Sequence, residues 1–291
     1  MPVTAAARIG LADWSLNLPL VLCAVLALLY ALGSHRTVTP ALKRSAQRWR
    51  SASFYAGLAV LVIALSSPLD PYSERLFWAH MVQHVLLMLV AAPLIVLARP
   101  WIRLWRCLPL EARRWLARGL SQGRRTAPLR AVSRFLGRPT PSFLAFSVVL
   151  LAWHIPAAFD ATLRSEAVHV IEHSLFFLVA VLFFKQVIPS APLRIVLTPP
   201  LRVVYAIGAM IVSWLLAVVL ALAPHPLYAH YAHEASRPGG LSALADQQLA
   251  AGIMWVPGSV TFLIVVFVYV HRWLMPSESG STPARRLASE H

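Results

Sequence analysis

Long apolar runs, separated by polar or basic stretches, are the dominant pattern along this chain. Seven runs are long enough to cross about 30 Å of hydrocarbon as helices of roughly 17–25 residues. They cover approximately residues 15–33, 54–70, 76–98, 142–159, 168–188, 201–223 and 248–271. The pattern therefore predicts an all-α fold, a polytopic membrane protein built as a bundle of seven transmembrane helices.

The seven runs and their connections form one predicted transmembrane domain over residues 1–275. A basic connection at about residues 99–141 belongs to it, and a polar tail follows at 276–291. Hydrophobic residues make up 58% of the chain and charged residues 13%, which is not the composition of a soluble protein of this length. The first run has Arg8 before it, as a signal peptide would, but its length and the basic residues after it favour a retained span.

The arginines are unevenly distributed over the connections, and this distribution predicts the orientation. The connection between the third and fourth runs contains eleven arginines and a single acid, Glu111. Short connections rich in Lys and Arg stay in the cytoplasm, so the N-terminus is predicted outside and the C-terminus inside. The net charge of +15 then follows from topology and from attraction to the lipid bilayer, and we expect no nucleic acid partner.

The basic connection also has apolar residues at helical spacing. Trp101, Leu104, Trp105 and Leu108 alternate with arginines in this way. The spacing favours an amphipathic helix on the inner membrane surface, and the alternative is a partly disordered basic loop.

Five of the eleven histidines are predicted to lie at one depth of the bundle, near its outer surface. His80 and His84 come early in the inward-running third run, His154 comes late in the fourth, and His169 and His173 come early in the fifth. Each four-residue pair shares a helix face, with about 6 Å between its members along the axis. Imidazoles bind metals, and a polar side chain in a membrane needs a partner. The sequence predicts a metal site here, with structural or proton-relay histidines as the alternative.

Other residues on the same side are candidates for supporting roles. Asp246 and Gln248 open the seventh run, where either could orient a ligating imidazole, and Asp246 is also a candidate helix cap. Met81 is a candidate soft ligand for Cu(I), as are Met88 and Met254, although methionine in a membrane helix is usually packing.

One short motif points toward an enzyme instead. His169, Glu172 and His173 match H-x-x-E-H, in which two histidines hold zinc and the glutamate activates water. Five positions with three fixed residues are a weak signal, so a membrane-embedded zinc hydrolase is retained as an alternative. Glu172 could equally orient a histidine or pair with an arginine, and it is therefore a candidate supporting residue. Cys23 and Cys107 lie apart from the histidines and from each other, so any metal would be held mainly by nitrogen.

Several ordered blocks of the sequence carry a resemblance to a known family. They are Phe77–Met88 continuing to Ala92-Pro93-Leu94, then Trp153-His154-Ile155-Pro156, then His169 with Glu172-His173, and finally Ala245–Gly258. Together these blocks resemble the multi-span CtaG family of cytochrome c oxidase assembly factors. The resemblance covers the chain from about the second run to the seventh.

The resemblance implies a multi-pass protein of the bacterial inner (plasma) membrane that helps to mature a haem-copper oxidase, by supplying or inserting copper. The implied partners are oxidase subunits or a periplasmic copper chaperone, and no enzymatic activity is expected. Copper is the expected metal, with zinc or haem as alternatives. The family does not fix the ligands, so the histidine assignment stays an inference from spacing and depth. His225, His230 and His233 lie outside the resembling blocks, as a possible recruiting patch.

Overall fold

The computed structural model describes residues 14–35, 43–193, 195–234 and 237–275. These ranges consist of helices joined by short connections and contain no strand. The all-α prediction is confirmed. The α-helices are α1 (Leu18–His35), α2 (Arg44–Ser66), α3 (Leu69–Ser73), α4 (Phe77–Val85), α5 (Ala92–Ala98), α6 (Trp101–Arg106), α7 (Leu110–Gln122), α8 (Ala127–Leu136), α9 (Pro139–Trp153), α10 (Pro156–Arg164), α11 (Glu166–Val187), α12 (Pro199–Leu222), α13 (Ala229–His233) and α14 (Ala243–Leu274). A π-helical stretch, Leu86–Ala91, joins α4 to α5, and a 3₁₀ turn, Pro238–Gly240, precedes α14.

Six segments of the described chain are long and apolar enough to cross a membrane: α1, α2, the continuous segment Phe77–Ala98, α11, α12 and α14. The protein is therefore a multi-pass membrane protein. The ends differ from the apolar runs because a helix continues for as long as its backbone bonds are made, not only while its side chains are apolar. The run predicted at 54–70, for example, is the later part of α2, which begins at Arg44.

The fourth predicted run, residues 142–159, is wrong as a single helix. α9 ends at Trp153, and α10 begins at Pro156. Proline has no N–H and disfavours helical geometry at the residue before it, and Ile155 is extended accordingly, at φ −65° and ψ 127°. α9 has 15 residues and meets α8 at a bend of 87°. A seventh span exists only if α8 and α9 are counted together.

The basic connection is folded into helices. The stretch of spaced apolar residues from Trp101 forms the short α6, and α7 and α8 follow it. Neither α7 nor α8 buries a residue, and the apolar side chains of α8, Leu129, Val132 and Phe135, are exposed. The helix expected to contain Trp101, Leu104, Trp105 and Leu108 ends at Arg106, before Leu108, and buries Arg103. The rest of the connection is helical, and no part of residues 99–141 is a long loop.

A proline shapes the segment that carries His80 and His84. Pro93 cannot donate to the Leu89 carbonyl, as an α-helical residue at that position would. The backbone widens to π-helix just before it, and the Thr261 hydroxyl of α14 donates to the Leu89 carbonyl at 2.5 Å. Such π stretches are frequent near functional sites, and this one directly follows the two histidines.

Two apolar clusters form the core. The larger joins the segment Phe77–Ala98 to α9, α11, α12 and α14, and the smaller joins α1 and α2 to the same segment. The segment Phe77–Ala98 is thus packed on both sides, which holds its polar side chains in a fixed position inside the bundle.

Candidate metal centre

Three histidines and one glutamate converge inside the bundle, at the end where α4 begins. His80 and His84 come from α4, and Glu172 and His173 come from α11. Each offers one ligand atom, and these four atoms lie within 4.8 Å of one another. All four side chains are buried, and those of His80 and Glu172 have no exposure at all. We call this set the His/Glu cluster.

The start of α4 is fixed by a carboxylate from another helix. Asp246 of α14 accepts hydrogen bonds from the backbone N–H groups of Phe77 and Trp78, each at 2.9 Å. A carboxylate is favoured at this position because the first N–H groups of a helix have no partner within it. Asp246 thus caps α4 rather than its own helix, which is capped by Ser242 through the N–H of Ala245. Asp246 therefore affects His80 and His84 only by fixing the backbone of the helix that carries them.

The helical spacing of four residues brings the imidazoles together as expected. The ring centroids of His80 and His84 are 4.5 Å apart, and those of His84 and His173 are 5.4 Å apart. Glu172 lies between the two histidines of α4, with Oε2 at 3.4 Å from His80 Nε2 and Oε1 at 3.6 Å from His84 Nε2. The carboxylate therefore belongs to the cluster rather than to its surroundings.

A tyrosine from α13 determines which nitrogen of His80 faces the cluster. Burial raises the pKa of the Tyr231 hydroxyl well above its usual value, so the hydroxyl keeps its hydrogen. That hydrogen is donated to the Ser73 carbonyl at 2.5 Å, and the Tyr231 oxygen then accepts from His80 Nδ1–H at 3.2 Å. In the neutral ring, His80 Nε2 then presents a lone pair toward Glu172. Two acceptors that face each other at 3.4 Å repel unless a cation or a proton lies between them.

Unpartnered polar atoms are concentrated at this place. Within the described ranges, eleven buried side-chain nitrogen and oxygen atoms lack a hydrogen bond. Seven of them belong to the cluster and the adjacent His169: His80 Nε2, His84 Nδ1 and Nε2, His169 Nε2, His173 Nε2, and Glu172 Oε1 and Oε2. A buried polar group without a partner is costly, so a concentration of them indicates a site that receives something.

The other two predicted ligands flank the cluster. His169 is half-buried, and its ring centroid lies 4.2 Å from that of His173 and 5.1 Å from that of His80. His154, at the end of α9, has its ring centroid 6.0 Å from that of His84. Neither belongs to the four-atom set, whereas Glu172, predicted as a supporting residue or as the water-activating glutamate of the zinc alternative, does.

His154 faces sulfur on the side away from its own helix. Its Nδ1–H donates to the Leu150 carbonyl at 2.7 Å, which leaves the Nε2 lone pair 3.5 Å from Met81 Sδ. A small cavity of about 30 Å³ adjoins this pair. The cavity is also lined by other residues with imidazole or thioether groups, namely His84, Met88 and Met254.

The remaining sequence candidates lie elsewhere. Gln248 is exposed. Its neighbour Gln247 is buried, accepts from the Leu227 N–H at 2.8 Å, and donates to the Leu220 carbonyl at 3.0 Å. Gln247 therefore ties the loop after α12 to α14. Sequence reasoning missed both Gln247 and Tyr231, because hydrogen bonds across the fold leave no periodic signal.

The loop histidines do not join the cluster. His225 is exposed. His230 Nε2–H donates to the Glu74 carbonyl at 2.9 Å, and His233 Nδ1–H donates to the Ala229 carbonyl at 2.6 Å. His230 and His233 line a separate cavity of about 300 Å³.

Comparison with known proteins places this site in a family. The family model for the cytochrome c oxidase caa3 assembly factor (Caa3_CtaG) matches residues 28–275. The chain belongs to this family. The resemblance stated from the sequence blocks is confirmed, and every residue of the His/Glu cluster lies inside the matched range. This member of the family is a multi-pass membrane protein.

The similar curated proteins are mycobacterial and longer than this chain. Uncharacterized protein Mb0105 of Mycobacterium bovis and uncharacterized protein MT0111 of Mycobacterium tuberculosis are each 26% identical over 259 residues. Each match covers 86% of this chain but only 37% of the relative. Uncharacterized protein ML1998 of Mycobacterium leprae is 23% identical over 246 residues, or 79% of this chain and 35% of the relative. No solved structure matches the chain.

Proposed function

We propose that this assembly factor binds copper at the His/Glu cluster and passes it to a haem-copper oxidase during assembly. The observation that carries the proposal is the meeting of four buried ligand atoms within 4.8 Å, with His80 Nε2 at 3.4 Å from a Glu172 carboxylate oxygen. A divalent or monovalent metal ion between them converts a repulsion into two coordinate bonds. Copper is cargo in this account, held until a partner takes it.

The chemistry of the donors favours copper over other metals. Three imidazoles and a carboxylate suit Cu(II) or Zn²⁺ about equally well. The adjacent pair of His154 Nε2 and Met81 Sδ adds soft donors, and thioether sulfur selects Cu(I) rather than zinc. Met88 and Met254 line the same small cavity and add thioether groups that favour Cu(I). Neighbouring sites of different softness let one ion be held in either oxidation state.

Haem and hydrolysis are less well supported. The four ligand atoms are mutually close, so they occupy the space around the ion that porphyrin nitrogens would need. In a zinc hydrolase of the H-x-x-E-H type the glutamate stands off the metal and activates water. Here Glu172 lies among the ligand atoms and is fully buried, which favours coordination.

Transfer is proposed to run by ligand exchange at the half-buried edge of the site. His169 lies at that edge, beside His173 and His80, and offers an unpartnered buried Nε2. His169 would bind the ion as the neighbouring bond to His173 breaks, and an incoming ligand from an oxidase subunit or a periplasmic copper chaperone would then replace His169. The distribution of arginines supports an orientation with this end on the periplasmic side of a bacterial inner membrane and seven spans in all.

The orientation has its own test. A reporter fused after residue 120 reads cytoplasmic, and one inserted near Pro238 reads periplasmic. The opposite pattern at either point places the His/Glu cluster on the inner side and removes periplasmic delivery from the proposal.

Cellular oxidase assembly tests the function. Cells without the protein are expected to make oxidase polypeptide with little active enzyme, and added copper is expected to restore part of the activity. His84→Ala should behave like the deletion, and the matched exposed variant His225→Ala like the wild type. Normal oxidase activity in cells that carry only a correctly inserted His84→Ala protein contradicts the proposal.

A further inference from the structure

A buried arginine that pairs with no acid among the described residues lies at the other end of the segment Phe77–Ala98. Arg103 of α6 is 8% exposed. Its guanidinium donates to the Tyr30 hydroxyl at 3.0 Å and to the Ser51 hydroxyl at 2.9 Å, and it lies 5.0 Å from the centre of the Tyr30 ring. With the Gln47 amide oxygen turned toward it, Gln47 accepts at 3.0 and 2.8 Å. All of these partners are neutral.

No carboxylate in the described part of the chain balances this charge. The carboxylates that lie within 4 Å of a basic side chain there are Glu234, beside Arg75, and Glu172, beside two histidines. Residues 36–42, which connect α1 to α2, contain no Asp or Glu in the sequence. A buried charge without a counter-ion is strongly unfavourable in a membrane protein, so an anion is expected to bind beside Arg103.

A cavity of the right size and charge is present beside it. The cavity measures about 480 Å³ and lies between α1, α2 and α6. Arg103 forms one wall, and three further basic residues contribute to the lining: His35, Arg44 and Arg48. Gly33 allows α1 and α6 to pack closely beside the cavity, because any Cβ at this position would collide with the Arg103 carbonyl.

The surface next to the cavity is apolar. Leu28 and Leu32 of α1 are exposed on the outside of the bundle, adjacent to the cavity residue Ala31. Exposed leucines on a span face acyl chains, whereas the cavity offers guanidinium donors suited to phosphate. The ligand that satisfies both surfaces is an amphiphile with a phosphate headgroup.

We propose that this cavity binds the phosphate of an anionic phospholipid, with Arg103 as the buried anchor and Arg44 and Arg48 as outer contacts. Basic pockets between membrane helices bind such headgroups through charge and bidentate hydrogen bonds. The bound lipid fixes α1 and α2 against α6. This site is independent of the metal site, and each can fail without the other.

Lipid titration of the delipidated full-length protein, followed by native mass spectrometry, tests the proposal. The probes are phosphatidylglycerol, phosphatidylcholine with the same acyl chains, and inorganic phosphate. We expect phosphatidylglycerol to bind at least about five-fold more tightly than phosphatidylcholine, since one charge near the surface contributes about that factor. Arg103→Gln and the double variant Arg44→Gln with Arg48→Gln should each remove the preference.

The controls separate the outcomes. Arg114→Gln changes an exposed arginine of α7 outside the cavity and should leave the preference intact. If Arg103→Gln does not fold, the exposed double variant carries the test alone. Equal binding of the two lipids, or an unchanged preference in the double variant, overturns the proposal. Inorganic phosphate that binds as tightly as phosphatidylglycerol overturns the lipid assignment and leaves a site for free phosphate.

Discussion

The His/Glu cluster and the Arg103 cavity both contain a buried charged side chain, and these two side chains have opposite charges. At one end of the segment Phe77–Ala98, the buried Glu172 carboxylate lies close to two imidazoles. Near the other end, the buried Arg103 guanidinium donates to neutral partners among the described residues. The first site is proposed to bind a cation and the second an anion.

The two sites also differ in rigidity and access. The four side chains of the cluster are nearly closed off by the bundle, whereas the Arg103 cavity is wide and has exposed basic residues at its rim. A closed site with mutually close donors suits a small ion, and an open one suits a headgroup. This difference is consistent with the two proposals, a metal ion at the closed site and a lipid headgroup at the open one.

The largest effect is expected from removing a ligand. His173→Ala should lower copper affinity by more than the roughly 10- to 100-fold that loss of a supporting hydrogen bond causes. Phosphatidylglycerol binding should not change. Competition with a chromophoric copper chelator measures the affinity, and His225→Ala serves as the control. Unaltered copper affinity in folded His173→Ala removes this residue from the site.

Neutralising one charged residue in each site tests whether the two sites are independent. Glu172→Gln keeps the size of the side chain but removes the anionic ligand, so copper affinity should fall and the lipid preference should remain. Arg103→Gln should remove the lipid preference and leave the copper affinity unchanged. The dissociation constants for copper and for lipid are measured on the same preparations. If either variant changes both constants, the sites are coupled and their separation is incorrect.

A smaller effect is expected from the residue that orients His80. Tyr231→Phe removes the oxygen that accepts from His80 Nδ1–H, so the tautomer is no longer fixed, and copper affinity should fall about 10-fold. A neighbouring change, Tyr228→Phe, leaves this hydrogen bond in place and should have a smaller effect on affinity. Equal affinities for the Tyr231→Phe protein and the wild type would show that the hydroxyl does not position the ligand.

The smallest effect concerns the cap of α4. Asp246→Asn weakens one of two hydrogen bonds to the backbone, which costs about 1 kcal/mol and lowers the Tm by about 2–4 °C. Gln248→Ala, on the exposed face of the same helix, should leave the Tm unchanged. Thermal denaturation in detergent measures both. A metal affinity that collapses in Asp246→Asn while the Tm stays constant would give Asp246 a direct role instead.

The sequence predicted the His/Glu cluster better than the Arg103 cavity. Histidine is rare in membrane helices, so the four-residue spacing of His80 and His84 and of His169 and His173 stood out. Arg103 is one of 26 basic residues, and nothing in the sequence distinguishes it from its exposed neighbours. Its burial depends on how α6 returns against α1, which is a property of the packed fold.

Hydrogen bonds across the fold account for most of what sequence reasoning missed. Asp246 was predicted beside a histidine or at the start of its own helix, but it caps α4 from a distance of 169 positions along the chain. Tyr231 came from a loop that carried only a weak histidine signal. The break at Pro156 was visible in the sequence, yet the apolar residues around it concealed its effect on the fourth run.

The most direct test is the metal content of the full-length protein, purified in mild detergent after exposure to copper and zinc together. We predict that the wild-type protein binds about one copper ion per chain and little zinc. The folded double variant His84→Ala with His173→Ala should bind neither metal, while His225→Ala should retain copper. Stoichiometric copper in the double variant, or wild-type protein that takes up zinc and no copper, would contradict the proposed copper site.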